Sequence, residues 1–134
     1  MRTLLIVGLV ATITVVTGHA SAAAETPSAF DDALKTAQAN AATPDGKTFD
    51  DEIGRQFGER HADTMVRCTH DVPESELASF ELLLKLAADG KVQEGLVRPE
   101  TKVATCLRKT VVNDTFKKPP RAGYWVRIEM SMKP

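Results

Sequence analysis

The chain of 134 residues carries two cysteines, Cys68 and Cys106, and whether they are joined sets how freely everything between them can move. The amino terminus bears on that question. Met1–Arg2 supplies one positive charge, Leu4 to Val16 is apolar apart from Gly and Thr, and Ala20–Ser21–Ala22 places small residues at cleavage spacing. This is the pattern of a secretory signal peptide over residues 1–22. The apolar run covers residues 4 to 16, shorter than the roughly 20 residues of a bilayer-crossing helix. The expected product is periplasmic or secreted, with no membrane span after cleavage. In an oxidising compartment Cys68 and Cys106 are expected to form a disulfide.

Charge narrows the partners. Lys plus Arg number 17 against Asp plus Glu 18, a formal charge of −1, which gives no electrostatic reason to bind nucleic acid or an anionic membrane surface. A mean hydropathy of −0.18, with the apolar residues dispersed after residue 20, excludes a polytopic membrane protein.

Residues 23–47 form an Ala/Thr-rich segment. Ser28 and Asp31 make a capping box, and Phe30, Ala33, Leu34 and Ala37 share a stripe, so a short helix over about 28–40 is allowed, closed by a turn at Thr43–Pro44–Asp45–Gly46. A single α+β domain is read over 48–134. Thr48 and Asp51 form a cap pair, and Phe49, Ile53, Phe57, His61, Met65 and Cys68 recur at three to four residue steps, predicting an amphipathic helix of about twenty residues. Phe80, Leu82, Leu84 and Leu86, an Ala88–Asp89–Gly90 turn, and Val92 to Arg98 with period two predict a β-hairpin. A left-handed Gly90 with a bulge would set Val92 opposite Leu86 and Leu96 opposite Leu82. Pro99 and Glu100 open a further helix, with Val103, Cys106, Leu107, Thr110 and Val111 inward, ending near Phe116 before Pro119–Pro120. Tyr124, Val126, Ile128 and Met130 alternate with Trp125, Arg127 and Glu129, the strongest strand pattern in the chain.

The order is helix, strand, strand, helix, strand. It predicts two helices packed on one face of a three-stranded antiparallel sheet in the spatial order second, first, third. Leu83 between Leu82 and Leu84 makes the first strand apolar on both faces, hence central.

The stretch from Phe80 to Pro134 resembles the carboxy-terminal periplasmic domain of TonB and TolA type proteins. The resemblance rests on Leu84–Lys85–Leu86–Ala87–Ala88–Asp89–Gly90–Lys91–Val92, Val103–Ala104–Thr105–Cys106–Leu107, Phe116, Pro119–Pro120 and Tyr124–Trp125–Val126–Arg127–Ile128. It implies protein recognition without catalysis, in several members by adding a partner's extended segment to the last strand. Energy-transducing members keep an uncleaved membrane helix and a long Pro-rich spacer. Here the first segment reads as cleavable and only about 25 residues, with two prolines, precede the first helix, so the expectation is a free-standing envelope domain that binds an envelope or periplasmic protein.

The chemistry of the side chains agrees with a non-enzyme. No Gly-x-Ser-x-Gly elbow and no phosphate-cradling glycine loop is present, and no cofactor is implied. Cys68, His70 and Cys106, with His61, are the only soft ligand set, so a small metal-binding protein is the alternative if the thiols stay reduced. Arg108, Lys109, Lys117, Lys118 and Arg121 gather after the second helix as a solvated, dipole-compensating end. Tyr124, Trp125, Arg127 and Glu129 are the candidate partner-binding residues of the final strand. Trp125 has two readings of equal weight: a contact residue on the open side of the sheet, or a packing residue under the segment around Phe30.

Overall fold

A computed structural model describes residues 28–133; the signal-peptide reading of residues 1–22 lies outside them. The first helix, α1, covers Ala29–Ala41, and Ser28 and Asp31 form its capping box. The second, α2, covers Pro44–Thr69. It begins four residues before the predicted cap at Thr48. Thr43 is the N-cap, its hydroxyl accepting from the Gly46 N–H, and Pro44 occupies the first turn, where a missing N–H costs nothing. The predicted turn is therefore the start of the helix. Strands β1 (Phe80–Leu86) and β2 (Val92–Arg98), helix α3 (Lys102–Val111) and strand β3 (Tyr124–Met130) complete the order. The class is α+β with one antiparallel sheet in the order β2-β1-β3, as the hydrophobic pattern of β1 required.

Leu82, Leu83 and Leu84 are all fully buried, so β1 is covered on both faces. Leu82, Leu84 and Leu86 join Phe49, Ile53 and Phe57 of α2 and Val103, Leu107 and Val111 of α3 in one core. Leu83 belongs to a second cluster with Phe30, Ala33 and Ala37 of α1, against which Leu96 and Trp125 pack. The Ala-rich first helix is thus a layer of the fold. Its small side chains let it lie close to the sheet.

The hairpin departs from the predicted register. Gly90 has φ 89° and Val92 faces Leu86, but Gln93 is an extra residue, so Leu96 falls opposite Leu83 instead of Leu82. The cause is packing on two faces. Val92 and Val97 both enter the larger core, yet they are an odd number of residues apart, which an unbroken strand cannot satisfy. The same slip puts Gly95 under α3. A Cβ there would lie 2.8 Å from Val112 Cγ1, so glycine permits the close approach. Helix α3 also stops at Val111, short of the predicted Phe116. The backbone beyond it pairs with the hairpin turn, Val92 N–H donating to Asp114 C=O (3.1 Å) and Phe116 N–H to Gly90 C=O (2.9 Å).

Cys68 and Cys106 are bridged, with Cα atoms 5.7 Å apart, joining the last turn of α2 to the middle of α3. The bridge spans 38 residues, a loop whose closure is worth about 4 kcal/mol by chain entropy. Replacing both residues by Ala is expected to lower the unfolding free energy by about 3–4 kcal/mol in urea titrations. A loss below about 1 kcal/mol would show that the interhelical packing alone holds α3 in place.

Candidate functional site

The site is built where the chain passes from one face of the sheet to the other. Helices α1 and α2 pack on opposite faces and only Ala42 and Thr43 separate them, so the connection must round a sheet edge. That edge is β3: Asn40 Nδ2 donates to the Trp125 carbonyl (3.0 Å), and Arg121 donates to Asn40 Oδ1. The Trp125 end of β3 is closed by the chain itself.

The remainder is open. Ala87 N–H donates to Lys91 C=O, so the odd-numbered backbone groups of β1 face β2 and its even-numbered groups face β3. With Leu82 opposite Ile128 and Leu84 opposite Val126, the even-numbered residues of β3 bond to β1, and Trp125, Arg127 and Glu129 direct their N–H and C=O groups outward. Trp125 C=O is taken by Asn40. Among the described residues, the outward groups of Arg127 and Glu129 form no backbone ladder with another strand of this sheet, in which β3 has one neighbour.

Two grooves flank this stretch, one on each face. The first, about 490 Å³, runs between α2 and β3 and is lined by Gly54, Phe57, Gly58, His61, Ala62, Met65, Ile128 and Met130 together with Arg127 and Glu129. The second, about 430 Å³, is lined by Ala37, Gln38, Ala41 and Ala42 at the end of α1, by Asp50, and again by Arg127 and Glu129. Helices on both faces thus border the same two residues.

The predicted contact residues divide. Arg127 donates through Nε to Glu81 Oε1 (2.9 Å) and lies 2.5 Å from Glu129 Oε1, so a carboxylate on either side holds its guanidinium at the groove. Glu129 is exposed. Trp125 is half-buried and packs beneath α1, as its packing reading expects. Tyr124 is buried, its ring edge-on to Phe49 with centroids 5.1 Å apart and its hydroxyl 3.4 Å from Asp50 Oδ1. Of the four, Arg127 and Glu129 alone border the open edge.

Asp50 and the α2 groove were not visible in the sequence, because each depends on β3 lying against α2 some seventy residues earlier in the chain. Burial pushes the Asp50 carboxyl up to about 6, opposed by the Tyr124 hydroxyl and reinforced by neighbouring Asp51. Tyr124 is pushed up to about 12 by burial and by Asp50. Among the described residues no cation is paired with Asp50; the nearby Arg121 guanidinium lies over the Tyr124 ring, 5.2 Å from its centroid.

The His and Cys residues have structural partners. His61 Nε2 lies 2.9 Å from Asp114 Oδ2, with the ring packed 5.0 Å from that of Phe57, and Arg60 donates to Thr115 C=O (2.5 Å). Together they fasten α2 to the segment after α3. The other residues lining the His61 groove offer no hydroxyl or thiol. His70 is exposed beside Asp71 (2.8 Å). With both sulfurs in the bridge, the Cys68–His70–Cys106 set has no thiolate to give a metal, and among the described residues no group of three or more His, Cys, Asp or Glu is placed to hold one. Among those residues no helix is long and apolar enough to cross a membrane.

Comparison with protein-family models, with curated proteins and with solved structures finds no match to this chain.

Because the folded state raises the Asp50 pKa above its unfolded value, the fold holds a proton there that the unfolded chain has lost. The stability this group contributes is full below about pH 4 and declines as pH rises through about 6. Asp50→Asn, neutral at every pH, should unfold near the native temperature at about pH 4 and a few degrees higher at about pH 7.5 in thermal melts. An equal shift at both pH values would show that the carboxylate is not desolvated in the fold.

Proposed function

We propose that this protein is an exported, non-catalytic interaction domain that takes up an extended segment of an envelope or periplasmic protein as a fourth strand on β3, at Arg127–Glu129. The observation that carries this reading is the pair of outward-facing residues left open beside the stretch that Asn40 closes. Strand addition draws affinity from main-chain hydrogen bonds and specificity from pockets that receive alternate side chains. Both are available here: unladdered backbone groups in the middle, and a groove on each side. A bare edge invites indiscriminate pairing. Helices on both faces leave room for a single chain to enter.

The compartment belongs to the same proposal. The pattern of residues 1–22 suits export, and the disulfide suits an oxidising space. So does the resemblance of residues 80–134 to TonB and TolA type domains, which we keep as the proposed family.

Proline is the direct probe of an edge strand, because it removes an N–H, and Glu129→Ala, which loses the same carboxylate but keeps the N–H, is its control. At Val126 it would break the ladder to β1. At Glu129 it removes an outward N–H. A photo-crosslinking residue placed at exposed Gln38, on the rim of the α1 groove, should give a discrete adduct with one protein in the native compartment, and Glu129→Pro should reduce that adduct at least about tenfold while the far-ultraviolet spectrum is unchanged. An adduct that survives Glu129→Pro would contradict strand addition.

A further inference from the structure

The two grooves differ in chemistry, and a strand laid on β3 must present alternate side chains to each. On the α2 side the floor is Gly54, Gly58 and Ala62, three residues spaced one helical turn apart. A Cβ built on Gly54 or Gly58 would meet nothing within 4 Å. The packing of this chain therefore does not call for glycine at either position, although glycine weakens a helix interior. The absent side chains keep an apolar trough open along β3, walled by Phe57, Met65 and Ile128.

On the α1 side the chemistry is acidic. Arg127 is already engaged by Glu81 and Glu129. Asp50 lines that groove half-buried, with the Tyr124 hydroxyl as its hydrogen-bond partner and, among the described residues, no paired cation. A carboxylate withdrawn from water without a counter-ion is an unfavourable arrangement that an entering ammonium or guanidinium would relieve.

Resting on the strand-addition reading, we propose that the segment captured at Arg127–Glu129 carries an apolar side chain next to a basic one, the apolar residue entering the Gly54–Gly58–Ala62 trough and the Lys or Arg entering the α1 groove to pair with Asp50. The occupant is an extended peptide of a partner protein. A second copy of this chain also carries the pattern, as Val126–Arg127, but its own α1 and α2 flank that edge.

The test uses the full chain and two short fluorescein-labelled synthetic peptides, one alternating Val with Lys and one alternating Val with Glu, read by fluorescence anisotropy near neutral pH. The Lys peptide is expected to bind at least about tenfold tighter than the Glu peptide. Asp50→Asn should remove that preference. Gly58→Leu, whose Cβ meets nothing within 4 Å and whose side chain fills the trough, should weaken both peptides, and Glu129→Pro should abolish both. Equal affinity of the two peptides, both lost in Glu129→Pro, would overturn the paired-charge assignment and leave strand addition standing. Binding that Glu129→Pro does not touch, or no binding of either peptide, would count against strand addition itself. A sedimenting dimer that Glu129→Pro converts to monomer would give the edge to a second copy and overturn the proposal.

Discussion

A central strand with apolar side chains on both faces has to be covered twice. Leu82, Leu83 and Leu84 leave β1 no solvated face, so helices are needed above and below a sheet of only three strands. Helices α2 and α3 cover the even-numbered face. Among the described residues, the other face is left to α1. Because α1 and α2 are consecutive and almost contiguous, the chain has to turn around an edge of the sheet to get from one face to the other. The closed and open halves of β3 both follow from that single requirement. Asn40 seals the strand where the chain crosses.

The disulfide belongs to the same logic. Ten residues of α3 form a short helix, one that would be marginal on its own in water. Its link to α2 through Cys68 and Cys106 keeps α3 on Gly95 of β2.

Much of this was legible in the sequence, for identifiable reasons. The period of β3, the two-sided run of β1, the stripe from Phe49 to Cys68 and the left-handed Gly90 are local patterns, and local patterns survive in one dimension. What was hidden depends on faces meeting. Thr43–Pro44–Asp45–Gly46 serves equally as a turn or a helix start, and only α2's continuation decides it. The bulge at Gln93 exists because Val92 and Val97 answer to one core and Leu96 to another, a demand invisible until both helical layers are placed. Trp125 could face solvent or α1 until α1 was known to be a layer. Asp50 lies within no motif. Its environment is made by Tyr124, a residue 74 positions away.

The backbone of Arg127 and Glu129 faces outward and, among the described residues, is unpaired, while that of Val126 and Ile128 is locked to β1. Amide hydrogen exchange of the isolated full chain, read residue by residue by NMR, tests this directly. The Arg127 and Glu129 amides should exchange orders of magnitude faster than those of Val126 and Ile128. Equal protection of all four in dilute protein would mean that the edge is already occupied, and would contradict the account.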